Sequence, residues 1–448
     1  METIDLADWS RFTDYGKLEV DAPRDEGEIS SLVRHHRAGR KKLRVVGLRT
    51  SWSALWYCKD VMISAKNLDK IEIDVEGRTV TCGAGTTLTR LHEALWEKGL
   101  TLETAPGVDW VTVGGAISTG SHGSGHASIS SSMIGCRLVT ADGGVVELGE
   151  GDERLDAARI SMGMLGVLAT VTLRVVPAFQ VRARQSRIPT GDWRRFLAEG
   201  EMSYAHWFPH TEHTILVRVD VLSDPREAQR IAASTAGTGA DPLSDPQGIR
   251  GLVGAVFSPD KYRRAVAELA NLVPATFPAR NRYLLDAYYP DSDRVGPAHA
   301  MLMSYRTQPI AGSEWAVPVA RFDAVLSDLQ AEIAKGDFYL PIVWLKKVKA
   351  ETAWLRAADE DCIQCGMYHD VIAGTPSHVE AMVKRVEPIM IKHGGRPHLG
   401  KLIYMPPSDL KRLYPRWEEF DDLRQQMDPE GMFWTEAIEA RFGPPRAR

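Results

Sequence analysis

The residues best suited to chemistry include a run rich in glycine and serine, APGVDWVTVGGAISTGSHGSGH, at positions 105–126. Glycine and serine at this density weaken helix and strand alike. Such a run is typical of backbone that approaches a ligand closely, and successive backbone N–H groups in a loop form a concave site for a pyrophosphate. The run therefore predicts a phosphate-binding loop. A surface loop without a ligand is the alternative.

A second candidate loop, VVGLRTSWS at Val45–Ser53, follows a short β-branched strand, LRVVG. It is also rich in small and hydroxyl residues. It is therefore either a second phosphate-binding loop or a surface loop without a ligand. Neither loop has the GxGxxG spacing of a Rossmann site or the GxxxxGK[ST] spacing of a P-loop. If the two loops hold a nucleotide, they belong to another nucleotide-binding fold.

The cysteines offer a weaker signal. Cys362 and Cys365 form a CIQC pair, but no second pair at zinc spacing accompanies it, and its surroundings are not thioredoxin-like. We expect the spacing to be coincidental and predict no metal site. Five cysteines in 448 residues are too few for a disulfide framework and indicate reduced thiols.

The elements that would position these loops alternate between helix and strand. Periodicity predicts helices at 26–38 and 88–100, a strand at 43–47, and a strand, a turn and a second strand within 61–74. Residues 133–150 read as a hairpin that turns at Asp142–Gly143. A buried strand follows within 163–177, where Pro177 ends the block.

The pattern changes after about residue 178. A strand is predicted at 214–222, a loop or linker at the Gly/Ser/Ala/Pro-rich segment 234–248, and amphipathic helices around 259–272 and 320–335. A further helix around 408–426 precedes a tight turn, DPEGMF, at 428–433.

Composition bounds the class of protein. The chain has 448 residues, 44% hydrophobic and 25% charged, and a formal charge of −5. These values indicate two or three globular domains and exclude a disordered chain or a collagen. No basic stripe suggests nucleic acid, and no apolar run approaches the roughly 20 residues of a membrane helix. The N-terminus, METIDLADWSRF, does not resemble a signal peptide, so we expect a cytoplasmic protein without membrane insertion.

Several stretches together are recognisable: the two loops, TADGGVVEL at 140–148, SMGMLGVLATVTLRVVP at 161–177, GGRPHLGK at 394–401 and LYPRWEEFDDLRQQMDPEGMF at 413–433. They resemble the vanillyl-alcohol-oxidase superfamily, also called the PCMH-type FAD fold. Within it the chain is most similar to the aldonolactone and alditol oxidases, such as L-gulonolactone and D-arabinono-1,4-lactone oxidase. Residues 180–330 match only in outline, with EWAVP at 314–318 the best fragment.

The resemblance implies an α+β fold of two domains: an FAD-binding domain at 1–178, an α/β cap at 179–400 and a C-terminal segment, 401–448, that returns to the first domain. It also implies an FAD enzyme that takes a hydride from a carbinol carbon to flavin N5. The residues that would hold FAD are Val46, Gly47, Leu48, Arg49, Thr50, Ser51, Trp52, Pro106, Gly107, Gly114, Gly115, Ser118, Thr119, His122, Gly123, Ser124, Gly166, Val167 and Lys401.

The first loop departs from the family pattern. Covalent members read GHSWS, and the histidine carries the flavin, whereas this chain reads RTSWS with Thr50 at that position. Threonine cannot form the bond, so we predict FAD bound without a covalent link.

A second departure lies at PIVWLKKVKAE, residues 341–351. The family's Glu-x-Arg pair, which faces the substrate, aligns here with Trp344 and Lys346. Tryptophan offers one N–H donor and a large apolar face. We therefore expect a less polar substrate site, suited to a substrate with an apolar or aromatic part or to a glycosyl group stacked on the ring.

The resemblance also suggests catalytic groups. Lys401, in HLGK, would stabilise the reduced anionic flavin. His369, in MYHDV, and His398 would bind substrate and help to remove its hydroxyl proton, because a histidine titrates near pH 6.5. His122 would fix the second loop near the flavin. SYAHWF, at 203–208, reads either as cap strand or as pocket lining.

Three hypotheses stay open. The first is an FAD-dependent oxidation of a CH–OH group of a sugar, sugar lactone or sugar-bearing metabolite, with oxygen or another electron acceptor. The second keeps the flavin but assigns a bulkier, less polar secondary metabolite, oxidised or cyclised. The third is a protein that keeps the fold without catalysis.

Overall fold

The computed structural model describes residues 2–223, 269–270, 272–302, 309–371 and 376–446. The predicted linker at 234–248 and most of the predicted helix at 259–272 lie outside these ranges. Among the described residues, no helix is both long and apolar enough to cross a bilayer.

Residues before 178 form small sheets covered by helices. A five-stranded sheet has the order β5-β6-β10-β8-β9, and β3 pairs with β4 in parallel. The strands are β1 Glu2–Ala7, β2 Asp14–Val20, β3 Leu43–Val46, β4 Val61–Ser64, β5 Ile71–Asp74, β6 Thr79–Gly83, β7 Leu100–Thr101, β8 Met133–Val139, β9 Val145–Gly149, β10 Val167–Arg174 and β11 Val176–Pro177. The helices are α1 Glu26–Ala38, α2 Leu88–Glu97, α3 Val113–Thr119 and α4 Arg154–Arg159.

Local sequence explains these elements. Asp25 caps α1, because its carboxylate accepts the backbone N–H of Glu28 at 2.9 Å. Ile29 and Val33, one turn apart, are buried beneath the helix. In β10 burial alternates along the strand, as expected when one face covers a core.

The glycine-rich run is not wholly a loop. Residues Val113–Thr119 form helix α3, which Thr112 caps by accepting the backbone N–H of Gly115. The prediction of a loop throughout this run is therefore wrong. A capping threonine and a left-handed Gly120 at the other end overcome the low helix propensity of the sequence.

The later part of the chain builds an eight-stranded antiparallel sheet with the order β15-β12-β14-β13-β17-β18-β16-β19. Its strands are β12 Gln180–Pro189, β13 Tyr204–Trp207, β14 His213–Leu222, β15 Ser292–Pro297, β16 Ile310–Pro318, β17 Val343–Val348, β18 Cys362–Asp370 and β19 Arg396–Pro397. The accompanying helices are α5 Trp193–Ala198, α6 Phe277–Tyr288, α7 Ala298–Met301, α8 Phe322–Ile333 and α9 Pro376–Lys392. Short 3-10 helices are Ala54–Trp56, Ile129–Ser132, Thr190–Asp192, Pro274–Thr276 and Val319–Arg321.

The two faces of this sheet have different neighbours. Leu345, Cys365 and Trp315 are cross-strand neighbours and lie in a core that includes α8 and α9. Because successive side chains alternate between faces, Glu314 and Trp344 point the other way, toward the first domain.

The C-terminal segment contains three helices, α10 Pro407–Arg412, α11 Trp417–Met427 and α12 Glu436–Phe442. The single helix predicted at 408–426 is wrong, because the chain breaks at Tyr414–Pro415. Proline lacks a backbone N–H, and it disfavours helical geometry in the residue before it. All three helices contribute to the hydrophobic core that contains α2 and part of the five-stranded sheet. The domain limits at 178/179 and 400/401 stay a prediction.

Candidate active site

A cleft runs between the two glycine-containing segments, and its lining includes residues of both. Many of the residues predicted to hold a cofactor line it: Gly47, Leu48, Arg49, Thr50, Ser51, Gly114, Gly115, Ser118, Thr119, Gly166, Val167 and Lys401. His398 lines the cleft as well. The structure thus brings together segments that are far apart in sequence, such as those of Gly47 and Lys401.

Two glycines allow these segments to meet. A Cβ on Gly47 would lie 2.3 Å from Thr112 Oγ1, and one on Gly114 would lie 2.8 Å from Ala84 Cβ. Neither position has room for a side chain. Backbone therefore forms this part of the cleft wall, as a closely held dinucleotide requires.

The other predicted cofactor residues are not among those that line the cleft: Val46, Trp52, Pro106, Gly107, His122, Gly123 and Ser124. Ser124 joins the second loop to the cap, because its hydroxyl donates to Ser203 O (2.7 Å) and accepts the backbone N–H of Lys347 (3.1 Å). Its position favours a role in domain contact.

A buried polar cluster lies at one end of the cleft. Tyr368 Oη donates to Glu314 Oε2 (2.6 Å), and His122 Nε2 lies 2.9 Å from Glu314 Oε1. Lys401 Nζ is 3.8 Å from Glu314 Oε2 and 4.1 Å from the centre of the Trp52 ring. The Glu314 carboxylate therefore lies next to groups from the second loop, the cap sheet and the segment after β19.

The hydrogen-bond partners place a proton in this cluster. His122 Nδ1 is 3.0 Å from the carbonyl oxygen of Gly123, which can only accept, so Nδ1 carries a hydrogen. Nε2 faces a carboxylate oxygen, and two lone pairs would repel there. The contact between His122 Nε2 and Glu314 Oε1 therefore holds one proton.

Electrostatics agree with that assignment. Burial by itself would raise the pKa of the Glu314 carboxyl. Nearby His122 and Lys401 outweigh this effect and hold that pKa well below its usual range. Glu314 is therefore the anion of the cluster at neutral pH.

His398 has a different state from the one predicted. Burial lowers the pKa of His398 to about 3, so the imidazole is neutral at neutral pH. Its Nδ1 accepts the backbone N–H of Gly400 at 3.1 Å, which leaves the ring hydrogen on Nε2. His398 can therefore donate a hydrogen bond from Nε2, and its predicted share in removing the substrate proton stays a prediction.

His122, Glu314 and His398 also offer possible metal ligands within 4.8 Å of one another. The His122–Glu314 contact has the length of a hydrogen bond, and the Lys401 ammonium lies close to the second carboxylate oxygen. The Lys401 ammonium already balances the charge of the carboxylate. The arrangement supports a cluster that holds protons rather than a cation.

His369 does not join this cluster. It pairs across the sheet with Ala311, on the face that packs against helices, and its ring meets Phe277 edge-on at 5.3 Å. Tyr368, its neighbour in the strand, points to the cleft side instead. The predicted catalytic and substrate-binding role of His369 is therefore contradicted by the alternation of side chains along β18.

An aromatic surface continues from the cluster along the cap sheet. The rings of His206 and Trp344 are 4.5 Å apart, and Trp344 lies 6.3 Å from Tyr368. Lys346 and Tyr204 are cross-strand partners on the same face. Of the SYAHWF residues, Tyr204 and His206 face this side, while Trp207 belongs to the core beneath the helices.

Sequence reasoning missed Glu314 and Tyr368, although it singled out both of their segments. Alternation within EWAVP and MYHDV could have selected Glu314 and Tyr368 only if the buried face of each strand were known. For the CIQC pair, both thiols are buried and neither forms a disulfide.

Two protein-family models match this chain. Residues 171–440 match the family described as D-arabinono-1,4-lactone oxidase, and residues 18–149 match an FAD binding domain. The chain belongs to the D-arabinono-1,4-lactone oxidase family. The predicted resemblance, the FAD cofactor and the assignment as an FAD-dependent oxidoreductase are thereby confirmed.

Two relatives align with nearly the whole chain. An L-gulono-1,4-lactone dehydrogenase of Mycobacterium tuberculosis is 26% identical over 430 residues, which are 94% of this chain and 95% of that protein. An L-gulonolactone oxidase of Mus musculus is 26% identical over 452 residues, 94% of each chain. The cholesterol oxidase of Brevibacterium sterolicum, as a His121Ala mutant, superposes with a TM-score of 0.75 at 19% identity, covering 99% of this chain and 98% of that one. This similarity confirms the predicted α+β, two-domain fold.

Proposed function

We propose that this protein oxidises a CH–OH group of a sugar lactone or a closely related sugar. Two relatives named for L-gulonolactone support this choice over a bulkier secondary metabolite. The main structural support for this proposal is the cluster of Glu314, Tyr368 and Lys401, which lies at the end of a cleft lined by both cofactor loops. A fold kept without catalysis would not require such a buried, charged group.

The cleft fits FAD. Close backbone approach at Gly47 and Gly114 suits a dinucleotide, and Lys401 and His398 lie together where the cleft meets the buried cluster. When bound, FAD supplies the hydride acceptor for the carbinol carbon. Thr50 lies in the lining of the cleft, and its hydroxyl cannot replace a flavin-linked histidine, so we propose non-covalent binding.

Lys401 acts as a fixed cation. Glu314 and the face of Trp52 hold its ammonium in place, so little reorganisation is needed when negative charge develops nearby. His398 adds a neutral N–H donor at the same end of the cleft.

Glu314 accepts the substrate proton, directly or through Tyr368 Oη. As hydride leaves the carbon, the hydroxyl becomes part of a protonated carbonyl, which is a far stronger acid than any carboxylic acid. A carboxylate with a lowered pKa is therefore still a competent acceptor. In the Tyr368 route the substrate proton moves to Oη while the phenolic proton moves to Glu314 Oε2.

The aromatic surface binds the sugar. Trp344 and His206 offer flat faces to the C–H bonds of a lactone ring, and Lys346 offers a donor to ring hydroxyls or the lactone carbonyl. The electron acceptor, oxygen or another oxidant, and a cytoplasmic location remain parts of this proposal. The five unpaired cysteines support a reducing compartment.

The test is anaerobic mixing of the purified protein with L-gulono-1,4-lactone, D-arabinono-1,4-lactone, open-chain alditols and hydrophobic alcohols. We expect the lactones to bleach the flavin absorbance, and acid precipitation to release the flavin into the supernatant. Bleaching by hydrophobic alcohols alone would reject the proposed substrate. Flavin retained in the acid pellet would reject non-covalent binding.

A further inference from the structure

Arg44 is a buried cation in the wall of the cofactor cleft. It lies on β3, just before the first loop, with 6% of its surface exposed. Its guanidinium donates to the carbonyl oxygens of Met162 and Gly163. Both of these residues have positive φ angles, 48° and 68°. Nε of Arg44 is buried with no hydrogen-bond partner among the described residues.

No carboxylate neutralises this charge within the described part of the chain. Three arginines there are buried, and two of them have an acid partner: Arg280 contacts Asp370, and Arg424 contacts Asp421. Arg44 has two neutral carbonyls instead. Burial lowers the pKa of Arg44 to about 10, which still leaves it charged at neutral pH.

An unpaired buried charge is costly unless a bound ligand supplies the counter-ion. The cleft that Arg44 lines is the FAD site of this family, and FAD carries two phosphates there. We propose that Arg44 neutralises the diphosphate of FAD and so makes the site select for the phosphorylated ADP half of the cofactor. This rests on the cofactor and not on the proposed substrate.

Backbone N–H groups alone bind phosphate through partial charges. A guanidinium adds a full charge and planar donors that suit phosphate geometry. Lysine at this position would keep the charge but lose the paired donors. If Arg44 only held the turn at 162–163, its substitution would affect phosphorylated and unphosphorylated ligands equally.

The experiment measures binding of ADP and adenosine by calorimetry to the full chain freed of FAD. These ligands differ only in the two phosphates. We expect Arg44→Met to weaken ADP binding by roughly tenfold or more while adenosine binding stays within twofold, with Arg44→Lys between the two for ADP. FAD should also dissociate faster from Arg44→Met, as measured by recovery of flavin fluorescence.

Arg154→Met is the matched control, because Arg154 is an exposed arginine paired with Asp152, outside the cleft lining. It should bind ADP as the wild type does. Equal losses for ADP and adenosine in Arg44→Met would show a structural role for the turn, and no loss for ADP would show that Arg44 does not meet the phosphates. Either result overturns the proposal, and neither bears on lactone oxidation.

Discussion

At the residue scale, the chemistry depends on one carboxylate. Glu314 is buried, yet its oxygens meet Tyr368 and His122, and Lys401 lies close by. Each neighbour comes from a different segment, so Glu314 both orders the site and offers the place for a proton.

Glu314→Gln removes the proton acceptor and the counter-charge for Lys401 while keeping the shape of the side chain. General-base losses are typically about 10²–10⁴-fold, so we expect kcat to fall by roughly 100-fold or more. Steady-state kinetics on the best lactone measures this. Glu332→Gln, on α8 and outside the cleft lining, should leave kcat unchanged. A loss below about threefold in Glu314→Gln would remove Glu314 from the mechanism.

At the element scale, strand alternation separates residues that are adjacent in sequence. In β18, Tyr368 reaches the cleft while His369 is buried beneath helices. In the second glycine-rich run, a capped helix replaces the expected loop, so that α3 lies along the cleft. In both cases an element decides which side chains can meet a ligand.

His369 yields a pH prediction. Burial, chiefly, and nearby Arg280 lower the pKa of His369 to about 3, against 6.5 when exposed; Asp370 opposes this shift and His378 adds to it. Below about pH 6.5 the unfolded chain therefore binds a proton at His369 that the folded chain does not bind. The contribution to folding stability that is present above pH 6.5 is lost as pH falls toward 3. By pH 5 this loss amounts to about 2 kcal/mol.

His369→Leu should remove that loss. Between pH 7.5 and pH 5, we expect the variant to gain about 2 kcal/mol of stability relative to the wild type, measured by urea unfolding at both pH values. Its kcat should remain within twofold of the wild type, because the side chain points away from the cleft. A large fall in kcat, with normal folding, would restore a catalytic role.

Gly47→Ala tests the close approach of the two segments. The new Cβ would lie 2.3 Å from Thr112 Oγ1, so the loop or the cap of α3 must move. We expect a stability loss of about 1–3 kcal/mol and at least roughly tenfold weaker FAD binding, measured by fluorescence titration. Gly149→Ala is the control, since nothing lies within 4 Å of its Cβ position. Equal FAD affinity in Gly47→Ala and the wild type would show that this contact does not shape the site.

At the scale of the whole molecule, the site exists only where the cap meets the first domain. His122 and Ser124 come from the second loop, and Glu314 and the backbone N–H of Lys347 come from the cap sheet. The C-terminal helices then pack into the core of the first domain. Cofactor binding and domain association should therefore be coupled.

Non-covalent FAD predicts a stability that depends on free cofactor. At a free FAD concentration about 1,000 times the Kd, binding adds about 4 kcal/mol, so Tm should rise as FAD is added. Differential scanning calorimetry across FAD concentrations measures this. FMN at the same concentrations serves as the comparison ligand. If added FAD does not change the Tm of a yellow, fully loaded protein, the flavin is covalently linked.

The sequence by itself determined the family, the cofactor and the fold class, because those depend on local motifs whose order along the chain is readable. VVGLRTSWS, the 105–126 run and HLGK carried that inference, and the cleft unites all three. Thr50 likewise predicts the mode of flavin binding from a single position.

Only the tertiary structure decided which groups face one another. Pairing register and helix packing choose the buried face of a strand, so Glu314 and Tyr368 meet and His369 is kept out of the site. The sequence shows that side chains alternate between two faces, but it does not show which face is buried. Within the described part of the chain, the lack of a carboxylate beside Arg44 and the hydrogen bond between His122 and Glu314 are also properties of contacts between distant segments. Charge and burial arise from neighbours in space, and a linear motif does not specify them.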